Sequence, residues 1–156
     1  MDNNSKATPS ASHVTIAQLM LPEHANYLGN VHGGWIMKLV DEVGALACMR
    51  HSHHRVVTVA IDQMTFSQPI RIGDLVTLDA EVTYVGSTSM EVEVLVSAEN
   101  PITRNHTHTN KAYLVYVALD DNQKPVKVPE LVVTTPEEKA RMEAAIIRQK
   151  HRLRNR

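Results

Sequence analysis

An α+β fold, in which an antiparallel sheet covers one long helix, is what this sequence predicts, and three patterns predict it. The run "NVHGGWIMKLVDEVGALACM" (residues 30–49) is mostly apolar and free of proline, the profile of a buried helix. Two later stretches alternate: Val76, Leu78, Ala80, Val82 and Tyr84 against Thr77, Asp79, Glu81 and Thr83, then Met90, Val92, Val94, Val96 and Ala98 against Glu91, Glu93, Ser97 and Glu99. Joined by "GSTS", they form an antiparallel hairpin with one wet face. The closing stretch "TPEEKARMEAAIIRQKHRLRNR" places Thr135 as a cap before Pro136 and carries acids early and bases late, which suits a surface helix.

The remaining elements follow in order. "MDNNSKATPSAS" (1–12) is small, polar and Pro-containing, and is expected to be a loose, disordered tail. "HVTIAQLM" (13–20) is a short strand, and Pro22 and Gly29 then impose a loop before the helix, expected from Gly33 to about Arg50. "RVVTVAIDQMTF" (55–66) is β-branched and apolar on both faces, as in a well-covered strand. "SQPIRIGD" is a turn, and "TNKAYLVYVALD" is a last strand after the hairpin. The domain therefore spans 13–134, followed by a helix and basic tail over 135–156.

A chain of 156 residues with 43% apolar and 21% charged residues has enough oil for one ordinary core. A net charge of -1 gives no reason to expect nucleic acid or a membrane surface as partner, and a small molecule is expected instead. A single cysteine, Cys48, and the lack of a long apolar run point to the cytoplasm. Nine histidines include "HSHH" at 51–54 and the His106/His108 pair on one strand face, but none has diagnostic zinc spacing, so no metal is expected.

On the helix, Ile36, Val40, Val43 and Ala47, with Leu39 and Leu46 beside them, form the stripe expected to lie on the sheet. Asp41 falls elsewhere, in a strip with Gly34, Gly44, Ala45 and Cys48, whose small side chains leave room for another backbone or a ligand. Gly33 and Gly34 at the helix start expose backbone N–H groups at the positive end of the dipole, a site for an oxyanion. Asn26 and His32 lie beside the same end. Asp41 is eight positions beyond Gly33, about 12 Å along the axis, too far for both to act on one carbonyl. Two chains with their helices side by side and antiparallel bring the glycine end of one to the aspartate of the other, which predicts a dimer with shared sites.

The segments "PEHANYLGNVHGGWIMKLVDEVGALA", "VTVAIDQMTFSQPIRIGDLVTLDAEVTYVGSTSMEVEV" and "TNKAYLVYVALD" together resemble the hotdog-fold acyl-CoA thioesterases, specifically the acyl-CoA hydrolase group with its YciA-type and cytosolic brain-type enzymes, over roughly residues 13–150. The resemblance implies a curved antiparallel sheet wrapped around one helix, a catalytic homodimer and assembly as a trimer of dimers. It implies hydrolysis of acyl-CoA to a free acid and CoA without metal or other cofactor. Asn26 matches the family's functional asparagine, Gly33 or Gly34 its helix-start glycine and Asp41 its carboxylate. His32 falls where relatives carry His or an aromatic residue, and Thr58 corresponds to a threonine or serine that arranges the carboxylate. Asp41 then acts as general base or as nucleophile. For the CoA phosphates the candidates are Arg71, Ser87, Thr88 and Ser89, with the basic tail. Trp35, Met64 and Phe66 are expected in the acyl pocket wall.

Three other readings compete. A non-catalytic hotdog protein that binds acyl-CoA as a sensor has no use for a carboxylate opposite an oxyanion site. Hydration of an enoyl-CoA calls for a paired acid and base that the motif lacks. Cys48 and His51, three apart, could form a thiol nucleophile and base if they touch, whereas a small buried thiol is the simpler role.

Overall fold

The computed structural model describes residues 5–156, apart from the side chains of His108 and Thr109. Its elements in chain order are β1 (Lys6–Ala7), α1 (Pro9–Ser12), β2 (Val14–Leu19), α2 (Gly33–Ser52), β3 (Arg55–Ile61), β4 (Leu75–Val85), β5 (Ser89–Glu99), β6 (His106–Leu119), β7 (Glu130–Leu131) and α3 (Pro136–Arg154), with one 3-10 turn at Pro22–His24. Five strands form an antiparallel sheet in the order β2-β4-β5-β6-β3. Its inner face is the oil the alternation predicted: Val76, Leu78, Ala80 and Val82, then Met90, Val92, Val94 and Val96, then Ala112, Leu114, Tyr116 and Ala118, all buried against Ile36, Leu39, Val40, Val43 and Ala47 of α2. This is the expected α+β arrangement, one helix held by one sheet.

Several expectations need correction. Residues 5–12 are not a loose tail. Lys6 and Ala7 pair in parallel with Glu130 and Leu131, and Ser12 is buried, accepting the Val82 N–H at 2.9 Å through its hydroxyl oxygen and donating to the Pro9 carbonyl at 2.6 Å. Two hydrogen bonds on one small side chain secure what apolar content cannot. The rest of that reading, over residues 1–4, lies outside the described residues, as does the side chain of His108.

The buried arc of α2 is rotated from the one predicted. Leu46 is 39% exposed, whereas Gly44 and Cys48 are buried. The sheet curls around the helix on the β5/β6 side, so the covered arc reaches past Val43 and Ala47 into the strip assigned to small residues. Asp41 sits at the margin of this arc.

The outer face of the hairpin is not wet. Thr83, Glu91 and Glu93 are buried because α3 folds back over them. Its covering face is an arginine stripe, Arg141, Arg148 and Arg152, on either side of the buried Ala145, at helical spacings of four, three and four. Arg141 pairs with Glu81 and Glu93, Arg148 with Glu91, and Arg152 with both Glu91 and Asp62. Of the bases in the closing stretch, Arg141, Arg148 and Arg152 are therefore spent on the sheet. Thr135 caps the helix as the sequence predicted, its Oγ1 accepting from the Glu138 N–H; the Glu138 carboxylate also accepts from the Thr135 N–H, completing a capping box.

Strand β3 ends at Ile61, earlier than expected, and lies at the sheet edge rather than under cover. Val57, Val59 and Ile61 are each more than 40% exposed. Their β-branched side chains suit a strand on both faces, but within one chain nothing covers the outer one. Among the described residues no helix is long and apolar enough to cross a membrane.

Candidate active site

The helix start is built by a tight loop. Asn26 Oδ1 accepts from the N–H groups of Leu28 and Asn30, Asn26 N–H donates to the Asn30 carbonyl, and Gly29 supplies the left-handed residue the turn needs, with φ of 85°. The carboxamide oxygen is thus committed to the loop, and the Asn26 NH2 group has no partner among the described residues. It borders an open cavity of about 390 Å³ that Gly33, Ile36, Phe66, Gln68 and Ile70 also line.

Of the two helix-start glycines, only Gly33 keeps a donor with no partner among the described residues. His32 is the N-cap: its Nδ1 accepts from the Gly34 N–H at 2.9 Å, and its carbonyl accepts from Trp35 and Ile36. Gly34 is not an oxyanion donor here; a Cβ on it would sit 3.0 Å from His32 Nδ1, so the glycine makes room for the cap. His32 acts on the helix start. Of the three residues expected in the acyl pocket wall, Phe66 borders this cavity, whereas Trp35 turns away, stacked on the buried His24 with ring centroids 4.2 Å apart, and Met64 packs on the core.

Asp41 lies half-buried in the middle of α2. Thr58 Oγ1 donates to its Oδ1 at 2.7 Å, and the Tyr116 hydroxyl donates to the same oxygen at 2.9 Å and is 2.8 Å from the Asp41 backbone carbonyl. Thr58 was legible from the resemblance; Tyr116 was not, being one apolar residue in the alternation of β6. The signal was Gly44. A Cβ there would lie 2.7 Å from the Tyr116 hydroxyl, so the glycine clears space for a side chain of its own chain, not for a partner backbone or a ligand. Asp41 Oδ2 has no partner among the described residues and is not sealed from solvent.

The thiol alternative fails on geometry. Cys48 is fully buried, and burial pushes its thiol far above the usual range, away from the nucleophilic thiolate. His51 turns from it and donates Nε2–H to the Pro129 carbonyl at 2.8 Å.

The four CoA candidates divide between two places. Arg71 bridges to Asn30 by the helix start and is exposed. Ser87, Thr88 and Ser89 lie beyond the other end of β4, where Gly86 borders a cavity of about 720 Å³ with Ser52, His53, His54 and Lys127, and Thr88 and Ser89 border a groove beside Arg152. The length of α2, 20 residues or roughly 30 Å, separates the two ends, so one chain does not bring these residues onto one phosphate. Among the described residues, no three His, Cys, Asp or Glu side chains group in a way that could hold a metal ion.

Residues 28–104 match the model of the thioesterase superfamily. The acyl-CoA thioester hydrolase YciA of Salmonella typhimurium is 35% identical over 83% of this chain and 96% of its own. An apo-hexameric acyl-CoA thioesterase superposes with a TM-score of 0.91 at 36% identity over 96% of both chains. The Staphylococcus aureus acyl-CoA hydrolase, solved with butyryl coenzyme A, coenzyme A and coenzyme A disulfide, gives 0.87 at 31% over 96% of this chain and 92% of that one. Structures of its alanine variants exist at an asparagine, an aspartate and a threonine whose positions are fifteen and seventeen apart, the spacing of Asn26, Asp41 and Thr58 here. The sheet-wrapped helix is the hotdog fold, and the chain belongs to the acyl-CoA thioester hydrolases of the thioesterase superfamily.

Proposed function

We propose that this protein hydrolyses acyl-CoA thioesters to a free acid and CoA at a site shared between two chains. The observation that carries this reading is the division of the machinery along α2: a free Gly33 N–H beside Asn26 at one end, and an anchored carboxylate with one open oxygen about 12 Å further on. The Gly33 N–H and the helix dipole polarise the thioester carbonyl and stabilise the oxyanion, and the Asn26 NH2 positions the carbonyl or the water. Asp41 Oδ2 of the partner chain takes a proton from that water as it attacks the carbonyl carbon, or attacks that carbon itself to form a mixed anhydride that water then opens; on either route the C–S bond breaks and CoA leaves as the thiolate, which takes up a proton. The route calls for no metal or cofactor, so thiol release is expected to continue at full rate after treatment with a chelator.

The exposed edge of β3, with Val57, Val59 and Ile61 uncovered, supports a dimer that continues the sheet across two chains. Relatives described as hexameric support a trimer of such dimers. Dimerisation with antiparallel helices also brings Arg71 of one chain towards the end of α2 that carries Gly86 to Ser89 of the other, which is how the four CoA candidates can serve one substrate. The compartment is the cytoplasm, where Cys48 stays reduced.

Complementation tests the shared site. Asp41→Asn and Asn26→Ala chains, each inactive alone, are co-expressed and assayed for thiol release from acyl-CoAs of increasing length. A mixed dimer has one site with both groups intact, so the mixture recovers about a quarter of wild-type activity. A site contained in one chain recovers none, and acyl-CoA binding without thiol release from the wild type returns the protein to the sensor reading.

A further inference from the structure

We propose that Tyr116 is a positioning residue of the hydrolytic site, fixing with Thr58 the plane of the Asp41 carboxylate so that Oδ2 alone is presented to the reacting group. This rests on the reading of Asp41 as the catalytic carboxylate.

The arrangement begins in strand register. Thr58 and Tyr116 are directly opposed partners across β3 and β6, so side chains on the same face emerge side by side. A register shift immediately follows, between Thr58 and Ala60, the kind of bulge that re-aims a side chain. Both hydroxyls then reach one oxygen, at 2.7 and 2.9 Å. The last torsion of an aspartate is soft, and one donor leaves it free to swing. Two donors from different strands remove that freedom and leave the second oxygen without a protein partner.

Tyr116 does something Thr58 does not. Its hydroxyl has a single proton and two acceptors on one residue, the Asp41 carboxylate and, at 2.8 Å, the Asp41 carbonyl. While Asp41 is charged, the proton belongs on Oδ1. When Oδ2 takes up a proton or the acyl group, the charge on Oδ1 falls, and the carbonyl remains as a second acceptor. The buried hydroxyl is therefore satisfied at each stage, so the carboxylate changes charge without stranding a polar group. Burial first, and then the neighbouring Asp41, push the Tyr116 hydroxyl above its ordinary range, so it remains a donor throughout.

The chain has accommodated this contact. Gly44, in the middle of a helix where glycine is less favourable than alanine, is where a Cβ would meet the Tyr116 hydroxyl at 2.7 Å and Val92 at 3.1 Å. The glycine is explained by the close approach of Tyr116.

The test compares wild type, Tyr116→Phe, Gly44→Ala and the double variant by steady-state thiol release and thermal midpoint, with Asp41→Asn in parallel. Phe keeps the buried ring and removes only the hydroxyl. The expected result for Tyr116→Phe is a kcat about tenfold lower with KM nearly unchanged. Gly44→Ala loses comparable kcat by displacing the hydroxyl and also loses stability. The double variant loses no further kcat and regains part of the thermal midpoint, because the clashing oxygen is gone. A Tyr116→Phe enzyme with wild-type kcat, or losses that multiply in the double variant, overturns the proposal. If Asp41→Asn is inactive while Tyr116→Phe is unaffected, only the role of Tyr116 falls; if Asp41→Asn remains active, the reading of the site itself falls.

Discussion

Asp41 and Glu91 sit on opposite faces of the same sheet and are treated in opposite ways. Glu91 is 1% exposed and both its oxygens are doubly occupied: Oε1 by Thr83 and Arg148, Oε2 by Arg148 and Arg152. Asp41 is held through one oxygen, by two neutral hydroxyls, and the other is left open. Arginines saturate a carboxylate and neutralise it, which suits a joint between sheet and helix. Hydroxyls orient a carboxylate without cancelling its charge, which suits a group that has yet to react.

The largest effect expected from this contrast is on rate. Asp41→Asn lowers kcat about a thousandfold or more while leaving the thermal midpoint close to wild type, measured by thiol release and thermal unfolding on the same preparation. Glu91→Gln does the reverse. Facing two arginines with a neutral amide costs about 3 kcal/mol, at the low end for a broken buried pair because the arginines are partly exposed, and kcat per folded molecule is unchanged. If Glu91→Gln lowers kcat at full stability, the two faces are coupled and the contrast breaks.

The smallest effect sharpens the contrast with a third group. His51 is buried, donates to Pro129 and, among the described residues, finds neither a partner for Nδ1 nor an opposite charge. Burial pulls its pKa below the ordinary value, an effect that the bond to Pro129 opposes and His53 reinforces. In the unfolded chain His51 takes up a proton at about pH 6.5, while in the folded protein it stays neutral until lower pH. Its contribution to stability is full above that pH and is lost as pH falls from there through the lowered folded value. The gap in thermal midpoint between wild type and His51→Gln should therefore narrow between about pH 7 and 5; a constant gap means that His51 does not titrate with folding.

What was legible in the sequence was whatever a single strand or helix expresses by itself. The hairpin's alternation located the core, Thr135 before Pro136 located the start of α3, and the glycine pair located the start of α2. What was not legible depended on elements distant in sequence. Glu91 and Glu93 read as wet because nothing in the hairpin announces a helix more than forty residues later that brings its arginines over them. Ser12 read as tail because its value lies in a bond to Val82. His32 was placed beside the start of α2, where it lies, but its role as a cap depends on a ring orientation that no spacing gives. Tyr116 was hidden by being apolar enough to count as core, which for most of its ring it is.

Thr58 holds the carboxylate from β3, and β3 is one of the two edge strands of the sheet. If the proposed shared site holds, one strand serves as both an assembly surface and part of the reaction centre. Protein concentration thereby becomes an input to turnover: dilution that frees the edge also loosens the hydroxyl that aims Asp41, so specific activity should fall more steeply than the simple loss of paired sites. A cell that makes little of this chain would keep its thioesters by mass action, without an inhibitor.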